Sequence, residues 1–391
     1  MRKRIYEKIN ISVLLSVIIA VASLLFLIKN FTLCRSIVER AALISSKTVL
    51  VGAYRSTVQE EETTGETEKS TDSTETAVTP QNTQKPDEST AEKTNTDNVD
   101  EDGFTAEPED LKNLVLEYSK KSGSDKKDGA IKELTYTTSG VTDKYKNVRV
   151  KNINETKINI EKLLERKPDL KIEDKTKPSV LIFHTHTTEA YQILDRSFYA
   201  QGYVTRSTDP SKNMVRVGDA VCKQLEKAGY NVIHDTQIYD KKYNGAYDRS
   251  REQVQKYLKE YPSIQVVLDI HRDAIQYNDG TKVKPVTEIM GKKCAQMMII
   301  SGCQEAGNGI TDFPDWEYNL VFALHLQKTL EDMFASITRP VYFCPRRYIM
   351  NESHCNLLIE MGSDANTLSE GVYAGKCLGT ALTSLLEEYT T

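Results

Sequence analysis

Short apolar runs alternate with amphipathic stretches in the second half of the chain, and this alternation constrains its fold most. The run SVLIF at 179–183 is continuous and apolar, as in strands buried on both faces. Residues 214–228 have helical periodicity and end before Gly229, a residue that commonly terminates helices. Strands that alternate with helices predict an α/β domain over residues 176–391, with a largely parallel sheet flanked by helices.

Polar side chains follow three of these apolar runs. His184, His186 and Glu189 lie in HTHTTE directly after SVLIF, His271 follows IQVVLDI, and Glu360 ends the run LLIE. In parallel sheets, ligands bind beyond the carboxyl ends of the strands. Catalytic zinc takes three nitrogen or oxygen ligands and leaves a fourth position for water, from which a carboxylate can remove a proton. The pattern predicts a zinc site held by His186, Glu189 and His271, with Glu360 as the base.

Each of these side chains also has a simpler interpretation. His184 is either an additional metal ligand or a hydrogen-bonded residue at the strand end. Glu189 could be an acid favoured by the dipole of a helix start, and Glu360 could pair with an arginine. The remaining three histidines of the chain are interpreted as structural: His234, His325 and His354.

The N-terminal region is predicted to cross a membrane. Residues 9–28 are 20 uncharged and mostly apolar residues, about the length that spans a bilayer core. Arg2, Lys3, Arg4 and Lys8 precede the run, which keeps the N-terminus cytoplasmic. A cleaved signal peptide is the alternative, and we favour an uncleaved anchor because the apolar run continues past the small residues at 20–22.

The segment after the anchor is acidic. Residues 59–110 contain 17 Asp and Glu against 3 Lys in a chain whose net charge is −5. Residues 57–103 lack aromatic residues and should be disordered, because they cannot bury enough apolar surface. The predicted organisation is a cytoplasmic tail (1–8), a transmembrane anchor (9–28), a juxtamembrane segment (29–56), a disordered acidic linker (57–103), a lead-in or small subdomain (104–175) and a catalytic domain (176–391).

The charge of the folded part argues against a nucleic-acid partner. Residues 111–391 are nearly neutral, so nothing attracts a polyphosphate backbone, and nucleic acid is not expected as a partner.

The cysteine pattern does not decide between disulfides and thiols. Of the seven cysteines, none forms a CxxC pair, and the sequence leaves disulfides and buried free thiols equally open.

Three sequence blocks resemble one known family. VLIFHTHTTEAY, DIHRDA and LIEMGSDANT, together with the lead-in VKNINETKINIEKLL, are similar to the stage II sporulation protein P family over essentially the whole chain. That family looks distantly similar to zinc-dependent N-acetylmuramoyl-L-alanine amidases. The resemblance implies that His186, Glu189 and His271 bind zinc and that Glu360 is the base. It also matches Arg249, upstream of DIHRDA, to an arginine-containing helix start.

The sequence departs from the amidase pattern at three positions. The amidases place their glutamate ligand more than ten residues after the first histidine, whereas Glu189 comes three residues after His186. Arg272 replaces a small residue and Asp273 replaces an asparagine. Arg272 is predicted either to assist catalysis, by orienting a carboxylate or steadying an oxyanion, or to form a salt bridge with a neighbouring acid.

The resemblance implies a peptidoglycan amidase and endopeptidase that thins the septal wall during engulfment in a spore-forming bacterium. A glycan-cleaving partner of the stage II sporulation protein D family is implied as well. The residues alone support metal-assisted hydrolysis of an amide or an ester. The alternatives are a wall-binding or partner-binding scaffold without activity, and a metal-dependent esterase or deacetylase that uses His184 and His186.

Overall fold

The computed structural model describes residues 108–391. Twelve strands lie in this range: β1 (Lys127–Leu134), β2 (Asp143–Tyr145), β3 (Val148–Asn152), β4 (Pro178–Phe183), β5 (Phe198–Ala200), β6 (Asn231–His234), β7 (Val266–Asp273), β8 (Lys282–Ile289), β9 (Lys292–Ala295), β10 (Met297–Gly302), β11 (Val341–Cys344) and β12 (Asn356–Ser363). The α-helices in the same range are α1 (Glu109–Lys121), α2 (Ile160–Glu165), α3 (Met214–Lys227), α4 (Ala246–Glu260), α5 (Trp316–Met333) and α6 (Leu368–Glu387).

Eight strands form the main sheet, in the order β2-β3-β11-β10-β12-β7-β4-β6. The strands β12, β7, β4 and β6 are parallel to one another, and so are β3, β11 and β10. These two groups meet at β10 and β12, which are antiparallel, and β2 is antiparallel to β3. The prediction of an α/β fold is confirmed, but that of a largely parallel sheet is wrong, because the sheet is mixed.

The reversal at β10 has a simple cause in the chain. Parallel neighbours need a long crossover connection, which is usually a helix. A helix does connect β4 to β6, β6 to β7 and β10 to β11. Between β7 and β10 the chain instead forms the β8–β9 hairpin, so β10 is free to run opposite to β7. The amino ends of β10 and β11 therefore lie at the same edge of the sheet as the carboxyl ends of β7 and β12.

A second sheet, in the order β5-β1-β8-β9, lies beside this edge. Strand β1 pairs antiparallel with β5, which belongs to the long loop after β4, and parallel with β8. Residues from the 108–175 part of the chain thus hold the loop that follows HTHTTE. Strand β3 from the same part joins the main sheet beside β11.

Helices cover both faces of the main sheet. Val180 and Ile182 of β4 belong to the large core, which also contains residues of α3, α5 and α6, whereas Leu181 and Phe183 belong with Val254 of α4 to the core on the other face. This alternation explains why the run SVLIF is apolar throughout. Helix α6 begins with a capping box between Thr367 and Glu370.

Helices α3 and α6 approach closely at glycines. A Cβ added at Gly375 would lie 2.8 Å from the carbonyl oxygen of Val217, and one at Gly379 would lie 2.7 Å from that of Val221. Only glycine permits this spacing.

Several sequence predictions concern residues before 108. The anchor at 9–28, the juxtamembrane segment, the disordered linker and Cys34 all lie outside the described residues. No helix within residues 108–391 is both long and apolar enough to cross a membrane. The six cysteines in this range are buried free thiols: Cys222, Cys294, Cys303, Cys344, Cys355 and Cys377.

Candidate active site

His271 and Glu360 lie side by side near the carboxyl ends of two adjacent strands in the middle of the main sheet. They are register partners on the adjacent parallel strands β7 and β12. Register partners on neighbouring strands point to the same face of a sheet. Both residues lie inside their strands, which continue to Asp273 and Ser363, rather than just beyond the strand ends.

The loop after β4 brings His186 and Glu189 to the same place. The rings of His186 and His271 meet edge to face, with centroids 5.3 Å apart. Glu189 Oε2 lies 3.6 Å from His271 Nδ1 and accepts a hydrogen bond from the backbone N–H of Arg272 at 3.1 Å. His186, Glu189 and His271 are all buried. The three predicted ligands therefore form one cluster, although their spacing in sequence departs from the amidase pattern.

Charges inside the cluster shift the pKa of each group. Burial opposes the charged form of Glu189, but Arg272 and His271 outweigh it and hold the pKa of Glu189 well below its usual range. Burial also disfavours the charged form of His271, yet Asp269 and Glu189 raise its pKa well above the ordinary value. Burial lowers the pKa of His186 to about 4. The cluster thus combines a carboxylate with an imidazole that stays neutral at pH 7.

Asp269 contacts both His271 and the loop that carries His186 and Glu189. Its Oδ1 lies 2.8 Å from His271 Nε2, and it accepts hydrogen bonds from the N–H of Thr185 at 2.8 Å and from its hydroxyl at 2.7 Å. The carboxylate is buried and joins β7 to the HTHTTE loop. Carboxylates in this position orient the histidines of metal sites. No pattern in the sequence distinguishes Asp269 as a site residue, although it stands two residues before His271 in DIHRDA.

A second carboxylate stands on the other side of the loop. Asp240 accepts hydrogen bonds from Thr188 and Arg206, and its Oδ2 lies 3.9 Å from His186 Nδ1. Arg206 also lies 3.8 Å from Glu189 and is partly exposed at the edge of the cluster. Nothing in the sequence pointed to Asp240 or Arg206, because both are in irregular segments without a motif.

Two tyrosines line the cluster. The ring of Tyr243 stacks on His186, with centroids 4.8 Å apart and an interplanar angle of 5°. Tyr247, at the start of α4, is parallel to the His271 ring at 6.3 Å. Arg249 does not reach the cluster. It donates hydrogen bonds to the carbonyls of Tyr239, Lys242 and Asn244, and so holds the loop that carries Tyr243.

Arg272 and Asp273 are both committed to neighbours. Arg272 is buried and donates to the carbonyls of Ala190 at 3.1 Å and Thr205 at 2.7 Å, while Nη1 lies 3.9 Å from Glu189. This placement favours a supporting role beside Glu189. Asp273 accepts a 2.8 Å hydrogen bond from Arg339, which precedes β11.

His184 points away from the other site residues. Its Nδ1 contacts the carbonyl of Ile270 at 2.8 Å, and its Nε2 lies 2.9 Å from Nε2 of His234. His234 in turn contacts Asp219 at 3.0 Å. Both ring nitrogens of His184 are therefore occupied, which favours the structural interpretation. His325 contacts the carbonyl of Arg166 and His354 contacts Asp169, so all three remaining histidines have structural partners.

Glu360 differs from the other acid of the site. Its Oε2 is buried and has no hydrogen-bond partner. Burial, together with the negative charge of Asp273, raises the pKa of Glu360 to about 8. A carboxyl whose pKa lies near neutrality is suited to both accept and donate a proton.

The donor set suits zinc in its chemistry. Two imidazoles and one carboxylate are the ligand types of catalytic zinc sites, and His186 Nδ1 is buried without a hydrogen-bond partner. As placed, no group of three or more His, Cys, Asp and Glu side chains within residues 108–391 has the arrangement of a metal site. Zinc therefore remains a proposal.

Two cavities in the described part lie elsewhere. One of about 340 Å³ is lined by residues such as Lys293, Glu370 and Tyr373, and one of about 390 Å³ by residues such as Glu161 and His325. Neither cavity is lined by a residue of the cluster.

Comparison with known proteins agrees with the resemblance. The model of the stage II sporulation protein P family matches residues 35–383. The chain belongs to this family. Stage II sporulation protein P of Bacillus subtilis (strain 168) is 27% identical over 212 residues, a match that spans 50% of this chain and 47% of that protein.

Solved structures show a more distant likeness. N-acetylmuramoyl-L-alanine amidase AmiC2 of Nostoc punctiforme is 13% identical, with a TM-score of 0.32, and covers 56% of this chain and 98% of its own. The CwlD amidase of Clostridioides difficile, solved with the GerS lipoprotein, is 12% identical, with a TM-score of 0.34, and covers 54% and 98%. A likeness of this degree says nothing about the chemistry of this chain.

Proposed function

We propose that this protein is a zinc-dependent peptidoglycan hydrolase that cleaves the amide between N-acetylmuramic acid and L-alanine. The observation that carries the proposal is the convergence of His186, Glu189, His271 and Glu360 on one edge of the sheet. Membership in a sporulation family supports a role in sporulation. Endopeptidase activity on the peptide cross-links, and action in septal wall thinning and engulfment, belong to the same proposal.

His186, Glu189 and His271 would hold the zinc. Asp269 lies against Nε2 of His271, which leaves Nδ1, the nitrogen that faces Glu189, for the metal. Zinc in such a site polarises a carbonyl and lowers the pKa of a water molecule toward 7.

Glu360 would move the protons. Its unsatisfied Oε2 can take a proton from the attacking water. The same carboxyl, once protonated, can deliver the proton to the leaving amine nitrogen when the amide bond breaks.

The location of this activity is part of the proposal. Residues 9–28 would anchor the chain in the cell membrane with its N-terminus in the cytoplasm, and 57–103 would act as a spacer. The catalytic part would then work on septal wall between the membranes of the sporulating cell, with a partner of the stage II sporulation protein D family.

Mass spectrometry of purified cell wall treated with the full-length chain tests the proposal. We expect fragments that carry a new N-terminal L-alanine. Glu360→Ala should keep bound zinc and release no fragments, because only the proton carrier is lost. His271→Ala should lose both zinc and activity. Full activity in either variant would refute the assignment.

The rivals predict other results. A wall-binding or partner-binding scaffold would release no fragments while it still binds wall. A metal-dependent esterase would need His184, and His184→Asn would then reduce activity as much as His186→Asn does. The contacts of His184 with Ile270 and His234 argue against this second rival.

A further inference from the structure

Arg339 lies at the edge of the candidate active site because the sheet is mixed. It stands two residues before the start of β11, which is parallel to β10 and antiparallel to β12. The amino end of β11 therefore lies at the edge where β7 and β12 present His271 and Glu360. Arg339 precedes a strand, whereas the pattern that indicated the other site residues consists of polar residues at the carboxyl ends of strands.

The guanidinium of Arg339 is held in place and only partly used. Nη1 donates to Asp273 Oδ2 at 2.8 Å, and the group lies 5.6 Å from the ring centre of Tyr136. The side chain is 8% exposed. Within residues 108–391, Nε and Nη2 donate no hydrogen bond, and neither is sealed from solvent. The two donors thus form an accessible edge of a nearly buried cation.

This edge has a specific chemical preference. The planar fork of arginine matches the two oxygens of a carboxylate, and stacking on an aromatic ring keeps the fork in one orientation. Asp273 occupies the Nη1 corner, so the Nε and Nη2 edge remains for a second carboxylate.

The spacing suits a peptide bound across the site. One strand, β10, separates the strand of Glu360 from that of Arg339. Adjacent strands are about 4.8 Å apart, so the two backbones are roughly 10 Å apart. Two extended residues span about 7 Å. A carboxylate one or two residues from the scissile amide can therefore reach the arginine side chain.

We propose that Arg339 binds a free carboxylate on the peptide side of the scissile amide. This contact selects substrates in which the second residue of the stem peptide, the peptide that begins with the L-alanine, carries an α-carboxylate. The inference rests on the proposed amidase function. Tyr136 and Asp273 act as positioning residues for the guanidinium. Asp273 also partly neutralises Arg339, which limits how tightly the product is held.

The test uses the full-length chain in detergent and two soluble muramoyl-peptides as substrates. In the carboxylate substrate the second residue of the stem peptide carries a free α-carboxylate. The carboxamide substrate is identical except that this group is a carboxamide. We expect the wild type to cleave the carboxylate substrate with a kcat/KM about 10-fold higher, mainly through a lower KM, as charge-assisted hydrogen bonds contribute factors of this size. Arg339→Gln should lower kcat/KM for the carboxylate substrate about 10-fold more than for the carboxamide.

Three further variants separate recognition of the carboxylate from a purely structural role of Arg339. Asp273→Asn keeps an acceptor for Nη1 but removes the negative charge, so the preference for the carboxylate should increase. The double variant Arg339→Gln/Asp273→Asn leaves no buried charge without a partner, and it should show no preference. Arg339→Lys should keep part of the preference, because it keeps the charge and loses the fork.

Several results would overturn the inference. One is a wild type that treats both substrates alike, and another is an Arg339→Gln variant that loses both activities equally, as a structural role predicts. Cleavage of neither substrate by the wild type would refute the proposed function instead. Calorimetric binding of the same two compounds would then decide about Arg339, since equal affinity for both would refute the carboxylate contact.

Discussion

Replacement of Asp269 by asparagine tests the arrangement beneath the candidate metal site. Asp269 is buried, lies 2.8 Å from His271 Nε2 and binds Thr185 through two hydrogen bonds. Asparagine keeps the volume, so no cavity forms. Its amide cannot neutralise a positive charge on His271, and one of its two ends presents N–H groups where the carboxylate presented an acceptor.

The expected magnitude follows from these contacts. Loss of a buried charged partner and of one charge-assisted hydrogen bond should lower the free energy of unfolding by about 2–4 kcal/mol. Replacement of a carboxylate that orients a metal-binding histidine typically weakens metal binding 10- to 100-fold. The pKa of His271 should also fall, because Asp269 contributes to its elevation.

Zinc affinity is measured by competition with a chromophoric chelator, and stability by urea unfolding of the same full-length preparation. Glu370→Gln is the matched control. Glu370 is a buried carboxylate that accepts hydrogen bonds from Thr367 and Asn366 and pairs with Lys284 at 2.6 Å, at the start of α6. The control should lose similar stability and keep its zinc affinity.

One pattern would refute the reasoning. If Asp269→Asn and Glu370→Gln lose the same stability and both bind zinc like the wild type, Asp269 supports the fold and does not orient His271 for a metal.

Three further predictions concern Glu360, Gly218 and Arg249. First, burial raises the pKa of Glu360 from an ordinary value of 4.5 to about 8. The zinc-free folded chain should therefore lose about 1.4 kcal/mol of stability per pH unit as the pH rises between these values, and Glu360→Gln should abolish this loss in urea titrations at pH 5 to 9; parallel curves would contradict the burial of this carboxyl. Second, a Cβ at Gly218 would lie 2.4 Å from His234 Nε2 and 2.7 Å from His184 Nε2, so Gly218→Ala should cost about 1–3 kcal/mol. Addition of His234→Ala should recover part of that cost in a double-mutant cycle, and strict additivity would argue against the contact. Third, Arg249→Gln should release the loop that carries Tyr243 and raise KM more than it lowers kcat, because Arg249 binds loop carbonyls and does not contact the cluster; a change in kcat alone would place Arg249 in the chemistry.

The helices and the central strands were predictable because their signals are local. The sequence pattern alone predicts helices at 109–121 and 316–333 and a strand at 231–234, and these are the bounds of α1, α5 and β6 in the structure. No local pattern in the sequence predicts strands β1, β2, β5, β8, β9 and β11. Strand β1 is largely charged, and β8 contains Pro285, so neither resembles a buried strand by itself. Strand β1 pairs with β8 and with β5, and these pairings between distant segments make the residues form strands despite their local sequence.

The site divides in the same way. Motifs and positions in sequence were enough to bring His186, Glu189, His271 and Glu360 under consideration, and the structure brings all four together. The sequence could not show that His184 turns to His234, because the two are 50 residues apart. Nor could it show that Arg272 donates to the carbonyls of Ala190 and Thr205.

The sequence by itself determined the α/β class, the family and the identity of the candidate ligands, because each of these rests on residues that are near one another in the chain. Only the tertiary structure decided the direction of β10 and β11, since the β8–β9 hairpin replaced a crossover helix and removed the constraint that keeps neighbouring strands parallel. That reversal placed Arg339 beside Asp273 and near Glu360. Contacts between residues distant in sequence, and not any local pattern, put a cation at the edge where the chemistry is proposed to occur.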